Sequence, residues 1–146
     1  MLKRSRRLEV EWGDCDPAGI VYFPRYFEYF NTSTERMFAF DGMKKIDLLQ
    51  RYDAVGFPMV ETQSKFFEPS QYGDRIRIDS EIVKIGRSSF AVLHRIFNET
   101  GELTVECTEN RVWTGKDHDG KIRSMPLPAD IVAHLESDRL ITESFD

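Results

Sequence analysis

The chain has 146 residues, of which 40% are hydrophobic and 31% are charged, and its formal net charge is -5 at pH 7. These values are typical of one globular domain, which at this length buries a core without needing a disulfide or a metal. We therefore predict a single domain over residues 1–146. No apolar run approaches the about 20 residues that cross a bilayer, so we expect no membrane insertion. The negative charge argues against nucleic acid as a partner.

The N-terminal sequence MLKRSRRLEV is basic but lacks the apolar stretch and the cleavage site of a secretory signal. We interpret the basic residues between positions 3 and 7 as the solvated edge of a first strand, because charge discourages unwanted pairing of edge strands. The two cysteines, Cys15 and Cys107, are far apart in sequence and are expected to be reduced thiols. Together these features predict a cytoplasmic protein.

Residues 5–12 alternate between apolar and polar side chains and predict a first strand whose buried face ends at Trp12. After a turn rich in Gly, Asp and Pro, apolar side chains recur every three or four residues. This spacing predicts a long helix from about Pro24 to Phe40, ended by Gly42. The apolar face of that helix is predicted to contain Phe23, Tyr26, Phe27, Phe30, Met37 and Phe38.

The second half of the chain has the alternation and the turn signals of consecutive strands. A helix as apolar as the predicted one must be covered, and an antiparallel sheet with one apolar face can cover it. We therefore predict an α+β fold in which an antiparallel sheet of about five strands wraps around a long central helix. Beyond the first strand and this helix, the predicted elements are a short helix at Ile46–Tyr52, long strands at Met59–Phe67, Arg75–Ile85, Ser89–Asn98 and Leu103–Thr114, a short strand at Ile122–Met125, and a closing helix within PLPADIVAHLES.

Asp16 is a candidate catalytic residue because it precedes the predicted helix start at Phe23 by seven residues. Pro17, Ala18 and Gly19 allow the chain to fold back, which would place a carboxylate beside unpaired helix N–H groups. A thioester carbonyl would fit there, with its oxygen at the Phe23 N–H and its carbon facing Asp16. On the residues alone, the alternative remains that both Asp14 and Asp16 only cap a turn.

Other reactive side chains are weaker candidates. Two neighbouring carboxylates raise the pKa of the Cys15 thiol, which argues against a nucleophilic cysteine. The three histidines, His94, His118 and His134, lack the spacing of metal ligands, so we expect no metal site.

The segment KIGRSSF places Arg87, Ser88 and Ser89 at a turn between two predicted strands. Arg and Ser in a turn with Gly can hold a phosphate through charge-assisted hydrogen bonds, although a solvated hairpin tip has the same composition. No segment has the spacing of a P-loop or of a dinucleotide fingerprint.

The segment EWGDCDPAGIVYFPRYFEYFN closely resembles the N-terminal signature of the 4-hydroxybenzoyl-CoA thioesterase family of hotdog-fold acyl-CoA thioesterases. The resemblance continues through VGFPMVETQSKFFEPSQYGDRIRI and the GRSSF turn over nearly the whole chain. It implies the hotdog fold and hydrolysis of a CoA thioester to the free acid and CoA, with no cofactor beyond the CoA of the substrate. It also implies an active site at a subunit interface in a homodimer, with tetramers common.

The same resemblance implies roles for individual residues. The catalytic carboxylate of the family falls on Asp16, which would attack the thioester directly or through a water molecule. The backbone N–H that polarises the carbonyl falls on Phe23, and the CoA phosphates would lie near Arg87, Ser88 and Ser89.

The sequence departs from the family pattern at two positions, Phe23 and Phe57, where the hydroxybenzoyl-CoA enzyme carries a tyrosine and a small hydroxyl residue. A site lined by Phe23 and Phe57 should favour an apolar acyl or aryl group over a phenol. Two alternatives remain: a non-catalytic acyl-CoA-binding module, and a hotdog dehydratase. The dehydratase usually needs a histidine near the central helix, and none occurs before His94.

Overall fold

The computed structural model describes residues 1–39 and 42–145, apart from the side chains of residues 144 and 145. In this part of the chain no helix is long and apolar enough to span a membrane. A short 3-10 turn at Trp12–Asp14 follows the first strand. The helices and strands are β1 (Lys3–Glu9), α1 (Phe23–Met37), α2 (Lys45–Arg51), β2 (Ala54–Gly56), β3 (Met59–Phe66), β4 (Arg75–Ile85), β5 (Ser89–Phe97), β6 (Leu103–Val112), β7 (Thr114–Lys116), β8 (Ile122–Ser124), α3 (Ala129–Glu136) and β9 (Leu140–Phe145).

Six of the strands form the main sheet, in the order β3-β6-β5-β4-β1-β9, and α1 packs against one face of it. The pairs from β3 to β1 are antiparallel, as predicted, whereas β9 runs parallel to β1. β9 was not predicted, because LITESF is short and lies next to the predicted closing helix. The predicted strand from Leu103 to Thr114 is interrupted at Trp113, after which β7 pairs with β2 and β8 in a small second sheet.

The central helix α1 begins at Phe23 and ends at Met37, with Pro24 at its second position. The predicted helix end at Phe40 lies outside the described residues. Phe23 is not on the buried face, since its side chain is 59% exposed, whereas the unpredicted Tyr29 is buried. The buried residues of the helix are Tyr26, Tyr29, Phe30, Ser33, Thr34 and Met37.

Two predictions about the first strand are wrong. Trp12 is 74% exposed, because β1 already ends at Glu9 and the chain then leaves the sheet. The basic cluster is not a solvated edge, since β9 covers the outer side of β1, and Arg4 and Arg6 point inward. Arg6 donates to the Ser33 hydroxyl (2.8 Å), so its charge is held inside the fold.

The core consists of two apolar clusters with a polar layer between them. One cluster lies under the first half of α1 and includes Phe30, Ile78, Ile96 and Cys107. The other lies under α2 and α3 and includes Phe38, Ile82, Val92 and Trp113. Along β4, β5, β6 and α1, the buried residues that separate these clusters are Ser80, His94, Glu109 and Thr34.

Candidate active site

The segment before α1 forms a small hairpin. The backbone N–H of Asp16 donates to the carbonyl of Ile20 (2.9 Å), and Cys15 lies opposite Val21 in an antiparallel bridge. The Gly19 N–H closes the turn by donating to the Asp16 carbonyl (2.9 Å). Gly19 has φ +81°, a conformation that glycine adopts without steric cost. The hairpin therefore brings Asp16 beside Ile20, shortly before α1 begins.

Asp16 and Phe23, the two predicted catalytic positions, each offer a polar group that is open to a ligand. Oδ1 of Asp16 accepts a hydrogen bond from the Ala18 N–H (2.8 Å), whereas Oδ2 has no partner within the described residues. The N–H of Phe23 has no acceptor in that same part of the chain, because it is the first N–H of the helix. An acceptor oxygen at this helix start would meet the Phe23 N–H and the positive end of the helix dipole.

An apolar groove of about 350 Å³ opens beside the start of α1. Three phenylalanine rings on it remain accessible: Phe23 is 59% exposed, Phe66 48% and Phe67 51%. Exposed apolar surface of this kind is typical of a binding site. The groove is lined by Ile20, Val21, Phe23, Tyr26, Phe66, Phe67, Glu68 and Pro69.

A second cavity, of about 380 Å³, lies on the opposite face of the sheet. Its charged side chains are engaged in ion pairs, among them Arg77 with Asp79 (3.2 Å) and Lys3 with Glu81 (3.8 Å). This cavity lies away from the hairpin that carries Asp16, and we assign it no part in the site.

The predicted phosphate-binding residues form the turn between β4 and β5. The backbone carbonyls of Arg87, Ser88 and Ser89 each accept a hydrogen bond from a backbone N–H, at 2.7 to 2.9 Å. A Cβ atom at Gly86 would lie 2.7 Å from the Ser89 hydroxyl, so a side chain there would displace that hydroxyl. The turn is therefore rigidly held, and the exposed Arg87 side chain is directed to solvent.

Within one chain, the structure does not bring Arg87 together with Asp16. The hairpin is joined to the beginning of β4, through hydrogen bonds from Val21 N–H to Ser70 and from Val10 N–H to Asp74. Arg87 follows the other end of β4, an 11-residue strand. Eleven strand residues span about 36 Å, which is longer than an extended phosphopantetheine arm.

Phe57, predicted to contact the substrate, does not line the apolar groove. Its ring is 2% exposed and stacks on Phe38, with ring centroids 4.4 Å apart, and on Trp113 at 6.3 Å. The ring thus belongs to the apolar cluster under α2. Its contact with the acyl group stays a prediction.

The polar layer in the core contains an ionised cluster that the sequence analysis missed. His94 Nε2 and the Thr34 hydroxyl both contact Glu109 Oε1, and the Ser80 hydroxyl contacts His94 Nδ1 (2.7 Å). Arg111 donates to Glu109 Oε2 from Nη2 (2.6 Å) and from Nε (3.1 Å). Every hydrogen-bonding atom of the His94 and Glu109 side chains is thereby engaged.

Burial and charge move the pKa values of this cluster in definite directions. Burial lowers the pKa of His94, assisted by the positive charges of Arg111 and Arg6 and opposed by Glu109. Burial alone would raise the pKa of Glu109, but His94, Arg111 and Thr34 outweigh it, so its pKa is lowered. At neutral pH the cluster therefore contains a carboxylate, a guanidinium and a neutral imidazole whose Nε2–H donates to Glu109.

A pattern in β6 could have revealed this cluster. Alternate residues of the strand face the core, and two of them are charged, although such positions are usually apolar. A buried histidine on the neighbouring strand completes the pattern. The inward-facing positions are Val105, Cys107, Glu109, Arg111 and Trp113.

Cys15 is a poor nucleophile in this setting. Burial raises the pKa of its thiol, and the charges of Asp14 and Asp16 raise it further. The thiol therefore stays protonated at neutral pH.

Comparison with known proteins identifies the class to which this site and fold belong. The profile of the Thioesterase-like superfamily matches residues 10–135, so the chain belongs to this superfamily. Its six-stranded sheet around α1 is the hotdog fold predicted from the sequence.

Two CoA thioester hydrolases are similar to this protein over most of its sequence. The 4-hydroxybenzoyl-CoA thioesterase of Pseudomonas sp. (strain CBS-3) is 30% identical over 129 residues, which cover 84% of this chain and 90% of the relative. The 1,4-dihydroxy-2-naphthoyl-CoA hydrolase of Thermosynechococcus vestitus is 26% identical over 136 residues, covering 92% and 89%. The solved structure of the Pseudomonas enzyme superposes with a TM-score of 0.82 at 27% identity, covering 90% of this chain and 98% of that one.

Proposed function

We propose that this protein hydrolyses an acyl-CoA thioester to the free acid and CoA. The observation that carries the proposal is the start of α1, where the Phe23 N–H has no acceptor and lies at the edge of an apolar groove. A thioester has both a carbonyl oxygen for that N–H and an acyl group for that groove. The similarity to two CoA thioester hydrolases supports the same reaction.

Asp16 provides the carboxylate of the reaction. In one route, its oxygen attacks the thioester carbon, the C–S bond breaks, CoA leaves as a thiolate that takes a proton, and water then hydrolyses the resulting anhydride. In the other route, Asp16 removes a proton from a water molecule that attacks the same carbon, the C–S bond breaks, and the CoA thiolate takes up the proton from Asp16. Both routes place negative charge on the carbonyl oxygen at the Phe23 N–H, where the helix dipole stabilises it. Neither route uses a cofactor or a metal.

The acyl group is an aryl or a short or medium apolar chain. The lining of the groove supports this choice, because Phe23, Phe66 and Phe67 offer exposed ring surfaces. The polar side chains of the groove are Glu68 and the buried Tyr26. A ligand phenol that lies against the three phenylalanine rings would lose its hydrogen bonds to water without replacing them. We expect benzoyl-CoA to be hydrolysed with a higher kcat/KM than 4-hydroxybenzoyl-CoA.

The working unit is a homodimer or a tetramer made of two such dimers. Strand β3 supports dimer formation, because it is the edge of the main sheet and its Val60 and Phe66 side chains are 62% and 48% exposed. An uncovered edge of this length readily pairs with a second strand. In such a dimer, Arg87 of one protomer binds the CoA phosphates of a substrate whose carbonyl lies at Asp16 of its partner. We retain the prediction of a cytoplasmic location.

The test of the proposed function is thiol release from a panel of short, branched, long and aromatic acyl-CoAs. Asp16→Asn should lower kcat by about 10²–10⁴-fold on the best substrate, since it removes the carboxylate but keeps the shape of the side chain. The exposed Asp119, in a distant turn, provides the control Asp119→Asn, which should keep wild-type turnover. Wild-type turnover by Asp16→Asn would disprove the mechanism. No thiol release from any panel member would favour an acyl-CoA-binding module.

Arg87→Ala tests the phosphate site and its location in the dimer. This variant should raise KM for acyl-CoA far more than KM for a truncated pantetheine thioester, which lacks the nucleotide phosphates. Mixing subunits of Asp16→Asn and Arg87→Ala should then restore activity, because one of the two shared sites receives both native side chains. Equal KM effects on both thioesters would remove the phosphate role, and a mixture without restored activity would mean that both residues act within one chain.

A further inference from the structure

Tyr29 is a buried tyrosine whose hydroxyl group makes no hydrogen bond within the described residues. It lies in the second turn of α1 and is 8% exposed, and its hydroxyl oxygen has no hydrogen-bond partner within residues 1–39 and 42–145. Buried hydroxyl groups are normally hydrogen-bonded, because losing water without a replacement is costly. An unpartnered hydroxyl at this depth therefore indicates a partner that engages it in another state of the protein.

The candidate acceptor for this hydroxyl group is the Asp14 carboxylate. Burial raises the pKa of Tyr29 strongly, and the interaction of its hydroxyl group with Asp14 raises it further. Arg25 lies one helical turn before Tyr29. The pKa of its guanidinium is raised mainly by Glu28, and the charge of Asp14 raises it further. The hydrogen bond from the Tyr22 N–H to the Asp14 carbonyl (2.8 Å) places Asp14 at the start of α1, the helix that carries Arg25 and Tyr29.

Asp14 connects the hairpin to the residues around it. Its carboxylate oxygen Oδ2 accepts a hydrogen bond from the Glu11 N–H (3.0 Å), and its carbonyl accepts one from the Tyr22 N–H (2.8 Å). Tyr22 directly precedes Phe23, and Asp14 is two residues before Asp16. A movement of Asp14 would therefore change the position of Asp16 relative to the Phe23 N–H.

We propose that Tyr29 is a positioning residue of the thioesterase reaction, donating its hydroxyl hydrogen to Asp14 and thereby fixing the hairpin that carries Asp16 against the start of α1. This inference depends on the proposed function, because it assigns Tyr29 a role through Asp16. The phenol is protonated across the physiological range and so remains a donor. Oδ1 of Asp14 is the acceptor, since Oδ2 already receives the Glu11 N–H.

A packing role would make a different prediction. The Tyr29 ring meets the Tyr26 ring edge to face, with centroids 6.0 Å apart, and belongs to the apolar cluster under α1. If packing were its entire contribution, removing the hydroxyl oxygen would leave the reaction unchanged, because phenylalanine keeps the ring.

Tyr29→Phe is the decisive variant. We expect kcat to fall about tenfold while KM for acyl-CoA stays within twofold, because a displaced carboxylate slows the chemical step without weakening binding of the nucleotide. The urea midpoint of unfolding should not fall. The matched control is Tyr52→Phe, which removes a phenol that donates to Asp130 (3.1 Å) away from the site and should leave kcat unchanged.

A double-mutant cycle with Asp14→Asn identifies the partner. The double variant Tyr29→Phe/Asp14→Asn should have nearly the kcat of Asp14→Asn alone, since both changes remove the same interaction. Effects of the two changes that multiply would overturn the pairing. If Asp14→Asn does not fold, the result for Tyr29→Phe decides by itself: a kcat within twofold of wild type overturns the proposal.

The outcome for Asp16→Asn separates the two proposals. If Asp16→Asn keeps wild-type turnover, the proposed catalytic role of Asp16 fails, and the positioning role of Tyr29 fails with it, although the protein still hydrolyses acyl-CoA. If Asp16→Asn is inactive while Tyr29→Phe is as active as wild type, the positioning role alone is overturned.

Discussion

The hairpin before α1 and the polar layer in the core both contain ionisable side chains next to the central helix, but they differ in what those side chains leave open. In the layer, His94 and Glu109 are fully buried and use all their hydrogen-bonding atoms on each other and on their neighbours. In the hairpin, one carboxylate oxygen of Asp16 has no hydrogen-bond partner among the described residues, and the same holds for the Phe23 N–H at the start of α1. Ionisable groups whose hydrogen-bonding atoms are all engaged stabilise a fold. Ionisable groups that keep an unused hydrogen-bonding atom can bind a substrate.

Removing the carboxylate from the layer should cause the largest loss of stability. Glu109→Ala leaves the Arg111 charge buried without its partner, and we expect the free energy of unfolding to fall by about 3–5 kcal/mol. Urea denaturation measures this change. The control is Glu106→Ala on the opposite face of β6, whose half-exposed ion pair with Arg95 (3.1 Å) should contribute at most about 1 kcal/mol.

The kcat values of Glu109→Ala and Asp16→Asn test whether the polar layer and the hairpin also differ in function. The folded fraction of Glu109→Ala should retain wild-type kcat, since its side chain does not reach the hairpin. If instead kcat falls by as much as in Asp16→Asn, the layer takes part in the reaction and the contrast between the two regions is wrong.

Acid should destabilise the layer in two pH ranges. Because the pKa of His94 is lowered, the unfolded chain binds a proton below about pH 6.5 that the folded chain does not, and stability falls as the pH decreases from there. Because the pKa of Glu109 is also lowered, the free energy of unfolding falls a second time below about pH 4.3. Each group contributes at most about 1.4 kcal/mol per pH unit.

His94→Gln isolates the first of these ranges. In this variant, the free energy of unfolding should depend less on pH between pH 7 and pH 5 than it does in the wild type. The fully exposed His118 provides the control His118→Gln, which should keep the dependence of the wild type. An unchanged slope in His94→Gln would mean that the imidazole has the same pKa in the folded and the unfolded protein, which would contradict its lowering by burial.

The smallest effect is expected from the cysteine of the hairpin. Cys15→Ser should keep kcat within about twofold of wild type, because burial and two flanking carboxylates hold the thiol protonated. Iodoacetamide at pH 7 should likewise leave thioester hydrolysis intact. A large loss of kcat in Cys15→Ser would place a second reactive group in the hairpin.

The sequence was informative where local pattern and tertiary contacts agree. The alternation and the turn signals in the second half of the chain predicted β3 to β6 within two residues, since turn residues mark where these strands begin and end. The run of aromatics predicted α1, and the residues around Gly19 predicted the turn that precedes it.

The failures occurred where tertiary contacts outweigh local pattern. Trp12 continues the alternation of β1 but lies beyond the point where the chain leaves the sheet. Arg4 and Arg6 looked solvated, yet their partners, among them Ser33 and Glu143, are distant in sequence. Two partners of Glu109, Thr34 and His94, lie on α1 and β5, so no single window of sequence contains the whole cluster.

The polar layer also affects how parts of the protein unfold locally. Ile78, Ile96 and Cys107 lie on one side of it, and Ile82, Val92 and Trp113 lie on the other. The apolar contacts of the core thus form two compartments that are joined by hydrogen bonds and charges. Compartments of this kind open as separate cooperative units. Native-state hydrogen exchange should therefore divide β5 at His94, with amides on either side reporting different opening free energies.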